Sequence, residues 1–324
     1  MVIDMVREAV PVLKKRTGIR RFIWQLGENK LLLLMLVPAL VYIILCSYVP
    51  MTGIVLAFKS YNYSAGIWGS PWCGLDNFQF LIISGKLWPL TRNTLLYNLA
   101  FIVVNNVLEV AFAIIINELG GKIFKKTFQS MMFLPYFISW VVVAAIVQAV
   151  FGYEYGFINN IFEAIGLGRV NLYAVENTGL WPFLLVFFKA WKDIGYGSVV
   201  YLASVTGIDT DIYEAAEIDG ASIWKRIRYI TIPCLLPTVI IMVLLAVGQI
   251  FRGDFGLFYQ LIGNNGQLLE VGDVLDLFIY RSMSRNNDIG MSSAAGLYQS
   301  VLCFVTIVCV NGLIRKADPE YSLF

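Results

Sequence analysis

The sequence predicts an all-α, polytopic membrane protein with six transmembrane helices. Three observations carry this: an apolar excess that soluble domains lack, six long stretches nearly free of charge, and basic residues that alternate between successive loops. Hydrophobic residues make up 58% of the 324 and charged residues only 14%, where a soluble domain carries about 25% charged. Mean hydropathy is +0.71. The bilayer is the solvent for which such a chain is built.

A hydrocarbon core takes about 20 helical residues to cross, and helix is the fold by which a single segment satisfies its own backbone in lipid. Segments 31–58, 93–117, 131–151, 180–205, 235–251 and 291–314 are long and apolar enough. The first follows a basic stretch, as the apolar core of a signal peptide does. Its 28 residues without a charge exceed the roughly 7 to 15 of a signal peptide, and no small-x-small cleavage site follows, so it is expected to be an uncleaved span. Six spans put both termini on one side. Outside the spans, fifteen Lys and Arg lie in 1–30, 118–130, 206–234 and the C-terminal tail, against seven in 59–92, 152–179 and 252–290. The basic side is the cytoplasm. The expected organisation is a basic cytoplasmic N-terminal segment (1–30), a single transmembrane domain (31–314) and a cytoplasmic tail (315–324). Trp68, Trp72, Trp88 and Trp181 fall at outer boundaries and suit a headgroup belt.

Composition also narrows the chemistry. Net charge is +2, and nothing resembles a nucleic-acid surface. The five cysteines are odd in number, without C-x-x-C spacing, and four lie in or beside apolar runs, so neither a disulfide framework nor a metal site is expected. Histidine is absent, which removes any Ser-His dyad and the H-E-x-x-H zinc motif. A Walker A motif is absent too, since Gly85-Lys86 and Gly121-Lys122 are followed by Leu87 and Ile123. Two alternatives survive this filter: an ion-coupled secondary transporter, and an intramembrane enzyme using a carboxylate or a Ser-Lys arrangement.

The loop at 206–234 is the informative stretch. Asp209 or Asp211 can cap a helix, Glu214-Ala215-Ala216-Glu217 favours one, and Gly220 supplies the positive φ of a turn. A second helical stretch is expected from Ala221 to Ile230, stopping at Pro233, with Trp224, Ile227 and Ile230 on one face and Lys225, Arg226 and Arg228 on another. The product is a compact helical knob that lies along headgroups or plugs into a partner's groove.

Glu214, Ala215, Ala216, Gly220, Ile230, Ile232 and Pro233 fit the pattern E-A-A-x3-G-x9-I-x-[LI]-P, which resembles the coupling loop of bacterial ABC importer permeases. The stretches FYQLIGNNG (258–266), DIGMSSAAGLYQSV (288–301) and PEYSLF (319–324) resemble the polysaccharide-type permeases, including those of alginate importers. The resemblance runs from about Asn29 onward. It implies a bacterial inner-membrane location and a coupling helix between the fourth and fifth spans, seated in a cleft of an ATP-hydrolysing subunit. It further implies a second, homologous permease forming a heterodimer, two ATP-binding subunits that hold ATP and Mg, and an extracytoplasmic solute-binding protein. This chain would then be non-catalytic, with no cofactor of its own, and would carry a sugar oligomer.

Charges at membrane depth mark a substrate path. Lys189 lies eight residues into the fourth span, about 12 Å along a helix, with Lys192 and Asp193 one turn on. Lys189 and Asp193 at i and i+4 can neutralise one another, line a cavity or snorkel. Two lysines against one acid leave a positive surplus suited to an anionic sugar such as a uronate. Arg252, Asp254 and Tyr259 are further candidates, with simple solvation the alternative for the charged pair. Glu109 is expected to bind a neighbouring helix, and Gly195 and Gly197 to allow close helix packing.

Overall fold

The computed structural model describes residues 29–119, 121–263 and 265–317. The expected cytoplasmic segment before residue 29, and the PEYSLF ending, lie outside the described residues. The chain divides into two units, before and after the Gly53–Ile54 boundary. The first contains α1 (Lys30–Ile43), continued by a π turn at Ile44–Tyr48 and a short helix at Val49–Met51. No residue of α1 is buried, which suits a helix whose solvent is lipid.

The second unit is all helix among the described residues, apart from one isolated bridge between Lys59 and Trp72. Its elements are α2 (Asp76–Ile83), α3 (Leu87–Glu118), α4 (Lys122–Phe137), α5 (Trp140–Phe151), α6 (Phe157–Ala164) and α7 (Trp181–Thr206). There follow α8 (Thr210–Ile218), α9 (Ile223–Val247), α10 (Phe255–Leu261), α11 (Leu275–Ser284) and α12 (Ile289–Ala317). Helices α3 and α7 form the main pair; α4 and α9 pack on α7, and α11 and α2 pack on α12.

Helix α3 exposes an apolar face that a soluble protein would cover. Leu96, Leu99, Val103 and Val107 of α3 are exposed while Asn93, Thr94 and Glu109 of the same helix are buried. Apolar side chains face lipid, and helix contacts keep the polar groups. Aromatic packing fills the largest cluster, where Tyr97 and Phe101 of α3 meet Phe258 of α10 beneath Trp181 and Leu185 of α7.

Four of the described helices are long and apolar enough to cross a membrane, and a fifth crossing arises if the bent pair α4 and α5 counts as one. The predicted span 131–151 falls on two helices, bent by 93° between Phe137 and Trp140. Pro135 in the last turn of α4 has no N–H to donate, and Ser139 caps α5 by accepting from Val142 N. Helix α7 is long enough but carries Lys189, Lys192 and Asp193.

Two further expectations change. Pro233 does not stop a helix, because a π turn at Ile227–Thr231 precedes it and absorbs the missing donor, so α9 runs on from Ile223 to Val247. Trp181 is fully buried and donates from Nε1 to Leu172 O at 2.8 Å, so it belongs to the core. Trp68, Trp72 and Trp88 are each about 70% exposed, as a headgroup belt requires.

Candidate functional site

A cavity of about 700 Å³ opens between α3, α7 and α9, with the 252–254 turn closing one end. Its α3 wall is a stripe, because Asn98, Asn105, Asn106 and Glu109 fall at positions i, i+7, i+8 and i+11 of one helix. Asn105 Oδ1 is buried there without a hydrogen-bond partner. Gln249 and Gln299 add amides from α9's end and α12.

Lys189 is the centre of an ion cluster on the α7 wall. Its Nζ lies 2.7 Å from Asp193 Oδ2 and 2.8 Å from Asp254 Oδ2, with all three side chains about one-fifth exposed. The expected Lys189–Asp193 pair exists and gains a second carboxylate from a different element. Asp254 is held in turn: its Oδ2 accepts from Trp140 Nε1 at 3.2 Å, and its Oδ1 caps α10 by accepting from Leu257 N at 3.1 Å. Trp140 fits closely because residue 256 is glycine, whose Cβ position the indole occupies. One carboxylate thus joins α5, α7 and α10.

At the turn, Asp276 Oδ2 accepts from Gly253 N at 2.6 Å and from Gln299 Nε2 at 2.9 Å, and Gln299 also donates to Phe251 O at 2.7 Å. Burial pushes the Asp276 carboxyl above its ordinary range; these two bonds and nearby Arg252 oppose that shift.

Lys192 departs from its expected role. It is buried and donates to Pro135 O at 3.3 Å, Tyr136 O at 2.6 Å and Ile138 O, with the rings of Tyr136 and Trp140 each 5.5 Å away. It caps the carbonyl end of α4 at the bend, where a cation is favoured, and does not line the cavity. The positive surplus expected from two lysines is absent, since the cavity wall holds two basic side chains, Lys189 and Arg252, against four acidic ones, Glu109, Asp193, Asp254 and Asp276. Tyr259 is not brought there either: it stacks on Phe255 at 5.1 Å and meets Tyr280 edge-on at 5.0 Å. Glu109, expected to bind a neighbouring helix, lies against Gly197 and faces the cavity. Gly195 and Gly197 do serve packing, because a Cβ at Gly195 would overlap the Met132 carbonyl of α4.

The missed lining residues are the amides. The i, i+7, i+8, i+11 polar stripe within the otherwise apolar stretch 98–116 of α3 was the available signal. Amides both donate and accept, so the wall can hydrogen-bond hydroxyl groups. Among the described residues no group of three or more Cys, Asp or Glu is arranged to hold a metal ion.

The loop after α7 folds into two helices at an angle. Asp209 caps α8 by accepting from Asp211 N at 3.0 Å. Gly220 at φ +73° ends it, with Ala221 N bonded to Ala216 O at 2.9 Å and Gly220 N to Glu217 O at 3.0 Å; this is the Schellman arrangement. Arg226 Nη1 reaches back to Glu217 Oε2 at 2.9 Å, and Tyr213 Oη meets Thr231 Oγ1 at 2.9 Å. Glu214 and Ala215 are exposed, as are Ile232 and Pro233, while Ala216 and Ile230 are half-buried. The expected shared face is corrected: Ile227 and Ile230 are half-buried, but Trp224 is 81% exposed, with Ile218 at 87%.

Comparison with known proteins agrees in sequence and in fold. Residues 109–318 match the family described as "Binding-protein-dependent transport system inner membrane component". The polygalacturonan/rhamnogalacturonan transport system permease protein YteP of Bacillus subtilis is 28% identical over 309 residues, covering 95% of each chain. The trehalose/maltose transport system permease protein MalF of Thermococcus litoralis is 27% identical over 292 residues, covering 89% of this chain and 96% of that one. A crystal structure of a bacterial ABC transporter involved in the import of the acidic polysaccharide alginate superposes a chain with a TM-score of 0.81 at 30% identity, covering 92% of this chain and 99% of that one. A second crystal structure holds such a transporter in complex with an alginate pentasaccharide-bound periplasmic protein, and its matching chain gives a TM-score of 0.80. This chain belongs to the family of binding-protein-dependent transport system inner membrane components.

Proposed function

We propose that this chain is a permease subunit of an ATP-binding-cassette importer that carries an oligosaccharide or polysaccharide across the bacterial inner membrane. Membership of the binding-protein-dependent family supports this reading, as do the carbohydrate permeases among its relatives. The carrying observation is the knob at 210–226. Its Schellman turn at Gly220 fixes two helices and leaves Ile218 and Trp224 bare to water, a surface that a partner's groove would cover.

On this reading Glu214, Ala215, Ala216, Gly220, Ile230, Ile232 and Pro233 form the coupling loop, and ATP and Mg are bound by two separate ATPase subunits. A homologous permease completes the pathway, and an extracytoplasmic binding protein delivers the sugar. The bundle crosses six times if α4 and α5 together make one crossing and α7 another, with both termini cytoplasmic. Substrate passes the wall of Lys189, Asp193, Arg252 and Asp254. Lys192 supports that wall from behind, at the bend beside Trp140, while Tyr259 packs on Phe255 and Tyr280 outside it. With acids outnumbering bases, this half of the path offers mainly amide and carboxylate partners for sugar hydroxyls. Alginate, the cargo of the structural neighbours, is one polymer to try.

The test is ATP hydrolysis by the assembled complex, stimulated by binding protein loaded with neutral or acidic oligosaccharides. Stimulation by at least one sugar is the expected result. Sugar uptake that persists without any ATPase subunit would overturn the proposal.

A further inference from the structure

A second cavity, of about 670 Å³, lies away from the first at the start of α3, between the 84–86 turn, α11 and the segment before it. Four cationic side chains line it, Lys86, Arg92, Arg281 and Arg285, against Glu270 and Asp273. Asp273 is already tied to Arg281, and Arg92 leans on Asn93 Oδ1 at 3.1 Å, while Lys86 and Arg285 are exposed. The wall also holds three buried polar atoms with no hydrogen-bond partner: one acceptor, Asp273 Oδ1, and two donors, Arg281 Nη1 and the hydroxyl of Ser282, a residue only 1% exposed. Buried donors left unpaired cost free energy, so a wall that keeps them beside surplus positive charge fits an acceptor supplied from outside the chain.

The depth of the cavity identifies the source of that acceptor. Helix α3 has 32 residues, a length of about 48 Å against a hydrocarbon core of about 30 Å, so its first turns stand among headgroups. Trp88 in that turn is 73% exposed, and Ile82 and Ile83 at the end of α2 are 61% and 81% exposed. Apolar side chains and an indole beside lysine and arginine match the boundary between acyl chains and phosphates. We infer that this cavity is a headgroup site for an anionic phospholipid, with Lys86, Arg92 and Arg285 taking the phosphate and the Ile82, Ile83 and Trp88 surface lying along its acyl chains. This site is separate from the transport path and does not rest on the proposed function.

The assembled complex, purified and stripped of lipid, is titrated with phosphatidylglycerol or phosphatidylcholine and read by native mass spectrometry. Phosphatidylglycerol is expected to bind selectively, and the Lys86→Ala/Arg285→Ala pair, which leaves the Arg281–Asp273 bridge intact, is expected to weaken it by roughly thirtyfold. Ser282→Ala is expected to weaken binding without lowering thermal stability; a purely structural hydroxyl would lower stability and leave binding unchanged. Equal retention of the two lipids, or unchanged phosphatidylglycerol binding in the double variant, overturns the inference. Displacement of the lipid by inorganic phosphate at equal concentration would assign the site to a free anion and also overturn it.

Discussion

Replacing Lys189 with methionine keeps most of the side chain's reach and removes its charge, leaving Asp193 and Asp254 facing one another across the position it held. In the native protein one ammonium satisfies both carboxylates, at 2.7 and 2.8 Å. Breaking a fully buried pair costs about 3 to 5 kcal/mol, and an exposed pair under about 1 kcal/mol. These side chains are about one-fifth exposed and border an open cavity, so water recovers part of the loss and about 2 kcal/mol is expected. Asp254→Asn removes one of the two negative charges; its single amide oxygen can keep the α10 cap made by Oδ1 but not also the bond that Oδ2 accepts from Trp140, a loss common to the single and double variants that cancels in the cycle. Combined with Lys189→Met, it relieves the repulsion created by the lysine's loss. Unfolding of the purified complex, followed by tryptophan fluorescence for both single variants and the double, closes a mutant cycle. The double should cost less than the sum of the singles by about 1 to 2 kcal/mol. Additivity within about 0.5 kcal/mol would refute the bridged cluster.

Two other perturbations probe the packing and the turn. Gly195→Ala places a methyl group on the Met132 carbonyl of α4, a backbone atom that a side-chain rotation cannot clear. It should destabilise the helix pair by about 2 kcal/mol or more, read as reduced yield and a lower Tm. Asp276→Asn preserves both hydrogen bonds accepted by Oδ2 and removes a charge whose burial raises the carboxyl's pKa. A raised folded-state pKa means that ionisation opposes folding. The variant should therefore be at least as stable as the native protein at neutral pH, with its advantage shrinking as pH falls through the raised folded-state pKa towards the unfolded carboxyl's value of about 4 and changing no further below it. Tm measured across that pH range checks the sign, and an advantage that grows with acidity would contradict it.

Much of the architecture is legible in the residues because apolar runs must satisfy their own backbone in lipid. The termini of α7 and α12 and the end of α3 follow from that rule within a few residues, while α3 begins six residues before the predicted span. The bend between α4 and α5 was not legible: hydropathy is blind to direction, and Pro135 near a helix end does not by itself specify a 93° turn. The same blindness hid the true place of Lys192. Sequence spacing puts it beside Lys189, but only the bend brings the carbonyls of Pro135, Tyr136 and Ile138 to its Nζ. Sequence alone leaves Asp254 between a path residue and a solvated charge, because the contacts that hold it come from α5 and α7, more than 60 residues away along the chain. Local signals fared better. The cap at Asp209 and the positive φ at Gly220 depend only on neighbouring residues, and both are in place.

The claim that separate ATPase subunits drive this chain through the knob is tested most directly at Gly220. Its φ of +73° disfavours a β-branched side chain by about 1 to 2 kcal/mol, yet nothing lies within 4 Å of the position a Cβ would take, so valine perturbs the turn without a clash in the bundle. In the purified complex, Gly220→Val should leave the permease in the membrane while ATPase subunits dissociate or cease to respond to loaded binding protein. Native subunit stoichiometry together with fully stimulated hydrolysis would contradict the account.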